Sequence, residues 1–128
     1  MTPQRSIPAP VINAENKPYF DAAAEGRLMV KRCTACREFH FYPRSLCPFC
    51  FGETEWVDAA GDATIYSHTV MRAGGTFAAA YVTLEEGVTL LTNIVDCDLE
   101  ALRIGQAVRV VFRPTDDDVM VPMFTPVA

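Results

Sequence analysis

"CTACREFHFYPRSLCPFC", Cys33 to Cys50, holds two Cys-x-x-Cys pairs with ten residues between them. A Cys-x-x-Cys turn places two sulfurs on one side of a metal, and a second turn brought round by a hairpin supplies the other two. Cys33, Cys36, Cys47 and Cys50 meet that demand with no ligand to spare, so the spacing predicts a four-thiolate metal site. Four protein ligands close the coordination shell, and the expected site is therefore structural. Zinc is the expected metal. Iron needs the same ligands and would make a redox centre, which is the alternative. In so small a module the metal should supply much of the folding energy.

The flanks fit a ribbon. "RLMVKRC" and "EFHFYPR" each read as a short strand feeding a knuckle, and "TEWVDAAG" as a third strand. Upstream, "ENKPYFDAAAEGRL" predicts a short helix, with Asn16 as its cap, Pro18 in its first turn and Gly26 where it ends. Tyr19, Phe20, Ala23 and Ala24 fall on one side of it and are expected to pack. Downstream come "ATIYSHTVMR", "TFAAAYVTL", "VTLLTNIVDC", "AVRVVFRP" and "VMVPMF", broken at "AGG", "EEG", "RIG" and "TDDD". About five strands with turn chemistry between them suit a small barrel of the OB type. "DLEALRIGQ" reads as a brief helical turn or loop before the strand Ala107–Pro114. The expected fold is mainly β: an N-terminal arm and helix over 1–26, a zinc ribbon over 27–57, and an OB-fold barrel over 58–128.

The chain has 128 residues, half of them hydrophobic, which is enough for a packed core. No apolar run reaches bilayer length, and "MTPQRSIPAP" lacks a secretory h-region, so a cytoplasmic setting with no membrane contact is expected. Reduced thiols there favour metal over disulfides. The net charge of −5 is uneven. Around the cysteines Arg27, Lys31, Arg32, Arg37 and Arg44 face a single acid, Glu38, while from Phe51 onward twelve acids face four arginines. A generic nucleic-acid binder carries more positive charge than this.

Other reactive residues form no constellation. Cys97 lies between Asp96 and Asp98, which would raise its pKa, and reads as a small residue at a strand end. His40 and His68 read as polar strand residues. No Ser-His-Asp order, phosphate loop or carboxylate cluster stands out, and Asp116–Asp118 reads as a solvated turn.

The order of these segments, with "FYPR" between the knuckles, "G-x-x-x-x-Y-S-x-T-V" opening the barrel and "R-I-G-x-x-V-x-V" near its end, resembles the rubredoxin-like zinc ribbon plus OB-fold proteins described as acyl-CoA-associated. The likeness covers about residues 15 to 126. It implies a small subunit of thiolase or retro-aldolase complexes acting on CoA thioesters. The partner would carry the catalytic Cys and His, and the ribbon protein would bridge or stabilise it and shape its acyl-CoA channel. Many members have Gly directly after the second and fourth cysteines; here Arg37 and Phe51 stand there, with Gly52 one later. In this frame Arg27, Lys31, Arg32, Arg37 and Arg44 are candidates for CoA phosphates or a partner, against solvated surface charge. Phe39, Phe41 and Tyr42 are candidate interface aromatics, against packing between ribbon and barrel. The expected assembly is a hetero-oligomer with a thiolase-like or other acyl-CoA-processing protein, with acyl-CoA as a possible ligand. The rival readings are a nucleic-acid-binding ribbon and barrel, and a stand-alone acyl-CoA carrier or thioesterase.

Overall fold

The computed structural model describes residues 7–41, 43–72 and 75–127. Helix α1 spans Lys17–Ala24. Pro18 sits in its first turn, where a missing N–H costs nothing. Lys17 Nζ reaches Asp21 Oδ2 one turn on, at 2.7 Å. The helix stops in a Schellman motif: Gly26 N donates to Ala23 O at 3.0 Å and Arg27 N to Ala22 O at 2.9 Å, with Gly26 at a φ of 80°. Two details differ from the expectation. Asn16 makes no side-chain cap; its Oδ1 accepts from Asn13 N and its Nδ2 donates to Val11 O, which ties the arm down. The buried face carries Tyr19, Phe20, Ala22 and Ala23, while Ala24 is exposed.

Three short strands follow: β1 (Met29–Cys33), β2 (Phe39–His40) and β3 (Thr54–Asp58), in the antiparallel order β2-β1-β3. The alternation of β1 sends its residues to two faces. Across one face run His40, Lys31 and Trp56; across the other run Phe39, Arg32 and Glu55.

Five more strands close a barrel: β4 (Asp62–Met71), β5 (Phe77–Leu84), β6 (Thr89–Ile94), β7 (Ala107–Pro114) and β8 (Met120–Pro126). The order is β4-β5-β6-β8-β7, and β7 returns to β4. β5 buries every second residue, Ala78, Ala80, Val82 and Leu84, and the same alternation buries Leu90, Thr92 and Ile94 on β6. A bulge at Tyr66, between Ile65 and Ser67, shifts the register of β4 against β5. β6 meets β8 in parallel through one register pair, Ile94 and Phe124. A 3₁₀ turn, Leu99–Ala101, precedes β7, and Asp116–Asp118 fall in the turn before β8.

One core joins the parts. Tyr19 and Phe20 of α1 and Leu28 and Val30 of the ribbon cluster with Ile65, Val82, Ile94, Val108 and Phe124 of the barrel. Each fully buried side chain of this size contributes about 1.5–3 kcal/mol. The ribbon is therefore anchored on the barrel at its root, and its knuckles lie at the far end of β1. Among the described residues no helix is long and apolar enough to cross a membrane.

Candidate metal centre and the surface around it

Two loops of the same backbone build the centre. In the first knuckle Arg37 N donates to Cys33 O at 3.1 Å and Cys33 N to Glu38 O at 2.9 Å. In the second, Phe51 N donates to Cys47 O at 2.9 Å and Cys47 N to Gly52 O at 2.9 Å. The sulfurs are served alike: Ala35 N points at Cys33 Sγ and Phe49 N at Cys47 Sγ, each at 3.3 Å. Cys36 N adds a second donor to Cys33 Sγ at 3.3 Å. The first cysteine of each knuckle is fully buried and the second exposed.

All four Sγ atoms lie within 4.8 Å of one another. Cys33 and Cys50 approach to 3.5 Å and Cys36 and Cys47 to 3.6 Å. Sulfurs held about 2.3 Å from a tetrahedral ion sit about 3.8 Å apart. A disulfide needs about 2 Å, and all the cysteines are free. The donor set thus fits a four-sulfur ion. The proton chemistry agrees. The Cys36 and Ala35 amides and the neighbouring sulfurs pull Cys33 down to about 6 against desolvation. Cys36 is pushed up to about 12: the Glu38 amide favours its thiolate, but burial and proton sharing with the other sulfurs outweigh that. Thiols this close ionise at one another's expense until a cation joins them.

The knuckle turns need left-handed backbone after the second cysteine. Arg37 and Phe51 adopt it, at φ of 68° and 61°. Both take the conformation that glycine takes freely, at a cost of order 1 kcal/mol each. Gly52 is needed for room, because a Cβ there would lie 3.1 Å from Cys33 Sγ and 3.3 Å from Cys50 Sγ.

Most of the basic residues are already engaged. Arg27 Nη1 donates to Asp58 Oδ1 at 2.9 Å and its Nη2 to Glu25 Oε1 at 3.0 Å. Arg32 grips Glu55 Oε1 through Nε and Nη2, at 2.9 and 2.6 Å, and lies over the Phe39 ring. Lys31 is buried, with Nζ 4.5 Å from the Trp56 ring centroid, and desolvation holds its pKa below the ordinary value against the pull of Glu15. Arg37 and Arg44 are both exposed on the surface. Phe39 and Phe41 are half-buried against the core, Phe41 beside Tyr19 of α1 at 5.6 Å. Tyr42 lies outside the described residues.

Beside the metal centre Phe49 and Phe51 face solvent, as Tyr66 and Tyr81 do on the barrel. Sequence reasoning passed over the two phenylalanines because they sit inside the cysteine motif, where attention goes to ligands. Their positions, one before and one after Cys50, were the available signal, since a knuckle leaves those side chains pointing outward. His40 is a strand residue, on β2, as expected. It is buried, and neither ring nitrogen has a hydrogen-bond partner. Desolvation lowers its pKa against an opposing pull from the Arg44 backbone, and the charges of Lys31 and Arg44 add to the lowering. His68 Nδ1 is likewise buried without a partner. Burial, then Asp98 and Asp96, raises the pKa of Cys97, a poor setting for a nucleophile.

Residues 20–57 match the family model described as the ChsH2 rubredoxin-like zinc ribbon domain, and residues 56–113 that of the ChsH2 C-terminal OB-fold domain. The chain is 33% identical over 132 residues to a probable enoyl-CoA hydratase alpha subunit of Thermomonospora curvata; the match covers 97% of this chain but 41% of that protein. It is 31% identical over 96 residues to a DUF35 domain-containing scaffold protein of Methanocaldococcus jannaschii, covering 68% of each. Among solved structures, a chain of the Ltp2-ChsH2(DUF35) aldolase superposes with a TM-score of 0.82 at 31% identity, over 94% of this chain and 100% of that one. A DUF35-family protein of unknown function from Sulfolobus solfataricus shares the fold at a TM-score of 0.67 and 15% identity, over 90% and 87% of the two chains.

Proposed function

The chain belongs to the ChsH2 (DUF35) family of zinc-ribbon and OB-fold proteins, and from that premise we propose that it is a non-catalytic accessory subunit of a thiolase-like or other acyl-CoA-processing enzyme. The observation that carries this reading is the likeness to the Ltp2-ChsH2(DUF35) aldolase chain, whose whole length the superposition covers. The name of that aldolase couples a DUF35 chain to a second component.

We assign zinc to Cys33, Cys36, Cys47 and Cys50. Bound there it cross-links the two knuckles and, with its shell closed, offers no position to substrate. The chain's part is to hold the thiolates: the Ala35, Cys36 and Phe49 amides point at the sulfurs and offset their charge. The catalytic groups belong to the partner in this reading. Arg37, exposed on the first knuckle, is the basic residue we assign to CoA phosphates or to the partner's rim, since Arg27 and Arg32 are already paired and Lys31 is buried. A reducing compartment, the cytoplasm, keeps the thiols available for metal.

The test is affinity purification of the tagged chain from its source cells, with mass spectrometry and metal analysis of the same sample. A thiolase-like or other acyl-CoA-processing enzyme at near-stoichiometric ratio, with one zinc per chain, is the expected result. Nucleic-acid-processing proteins, or no protein at all, would overturn the reading.

A further inference from the structure

The second knuckle carries side chains that its metal site does not ask for. Both knuckles make the same backbone bonds, yet the first places Thr34, Ala35 and Arg37 where the second places Pro48, Phe49 and Phe51. The small and polar set shows that the fold does not require aromatics there. Phe49 is 66% exposed, Phe51 78% and Leu46, at the root of the same loop, 54%. Phe51 also holds left-handed backbone that disfavours a side chain. At about 200 Å² for each phenylalanine, these three residues present roughly 400 Å² of apolar surface.

We propose that Leu46, Phe49 and Phe51 form a knob that seats in an apolar socket on the enzyme subunit; this rests on the accessory-subunit reading given above. The area argues against a second copy as the occupant. Two such tips face to face would bury roughly 800 Å², below the ~1,200 Å² of a stable interface. A concave socket on a larger partner covers the knob and the ribbon around it. Charge argues against a lipid surface. Exposed Arg37 and Arg44 on the ribbon are matched by exposed Glu38 and Glu53, and the chain as a whole carries −5, so nothing draws the tip to anionic headgroups. The socket that fits has an uncharged floor wide enough for two phenyl rings, with a carboxylate on the side facing Arg37. Aromatic anchors in such pockets dominate interface energies.

The test uses the full chain, zinc-loaded, against the purified thiolase-like enzyme identified by the copurification experiment. Phe49→Ala combined with Phe51→Gly should keep its zinc and melt no lower than the wild type, because neither side chain supports the fold, and should bind the enzyme at least tenfold more weakly by calorimetry. A folded, zinc-loaded double variant that binds as tightly as the wild type overturns the knob and leaves the accessory-subunit reading standing. A wild-type chain that binds no such enzyme overturns both. Flotation with phosphatidylserine vesicles that the double variant abolishes, without enzyme binding, also overturns the knob and assigns the tip to membranes.

Discussion

The two knuckles share a backbone and differ in everything else. Each sets a buried cysteine first and an exposed one second, each turns through left-handed geometry, and each closes with the same pair of amide bonds. What repeats between them is what the metal dictates. What differs is free to serve something else: threonine, alanine and arginine on one side, proline and two phenylalanines on the other. The comparison separates ligand geometry from surface chemistry within one short loop pair.

The largest effect comes from breaking the shared part. Cys33→Ser and Cys47→Ser remove equivalent buried sulfurs, and both should lose the metal together with soluble, folded protein, since metal binding is folding energy in such modules. Metal content and far-UV circular dichroism check this. Equal damage confirms that the knuckles are equivalent; a variant that keeps fold and metal would break the comparison outright.

A smaller effect concerns the strand that leads out of the first knuckle. Burial lowers the pKa of His40, so the folded protein holds it neutral at a pH where the unfolded chain binds a proton. Its contribution is fully present above the ordinary value of about 6.5 and is lost as pH falls below it, with a slope of up to about 1.4 kcal/mol per pH unit. Melting temperatures of the zinc-loaded protein from neutral pH downward should fall less steeply for His40→Phe than for the wild type. Parallel curves would mean that the imidazole is not held neutral.

The smallest effect sharpens the comparison rather than testing it. Phe51→Gly and Arg37→Gly each relax left-handed backbone, and each should stabilise the ribbon by roughly 0.5–1 kcal/mol, the strain relieved less the entropy that glycine adds. Matching gains in denaturant titrations would show that the two turns carry the same strain. A loss at Phe51 alone would show that its ring supports the fold after all.

The four-cysteine cluster and the order of the elements along the chain were legible because both follow from spacing. Cys-x-x-Cys fixes a turn, and the apolar run Ala107–Pro114 between turn signals is the strand observed. Faces were harder to read. In β1 and β2 alternation separates two sets of residues but does not say that both sides are covered. Lys31 and His40 are buried on one side and Phe39 packs on the other, so basic and aromatic residues that read as surface lie inside or are half-covered. Asn16 could serve the helix or the arm, and its preference for the Asn13 and Val11 backbone depends on where the arm runs. Barrel closure also lay beyond local pattern, because the β4–β7 and β6–β8 contacts join strands distant in sequence.

That last contact has a mechanical consequence. The β4–β5 and β5–β6 ladders and the β7–β8 ladder are long, but β6 and β8 share a single register pair, Ile94 and Phe124, with one further amide bond from Val95 to Phe124 O. Pro122 on β8 has no N–H to add another. The barrel is therefore stiff around most of its girth and compliant along one line. Strain entering it from the ribbon, through Val30 and the core both share, can be taken up by a hinge-like opening of that line while every long ladder stays intact.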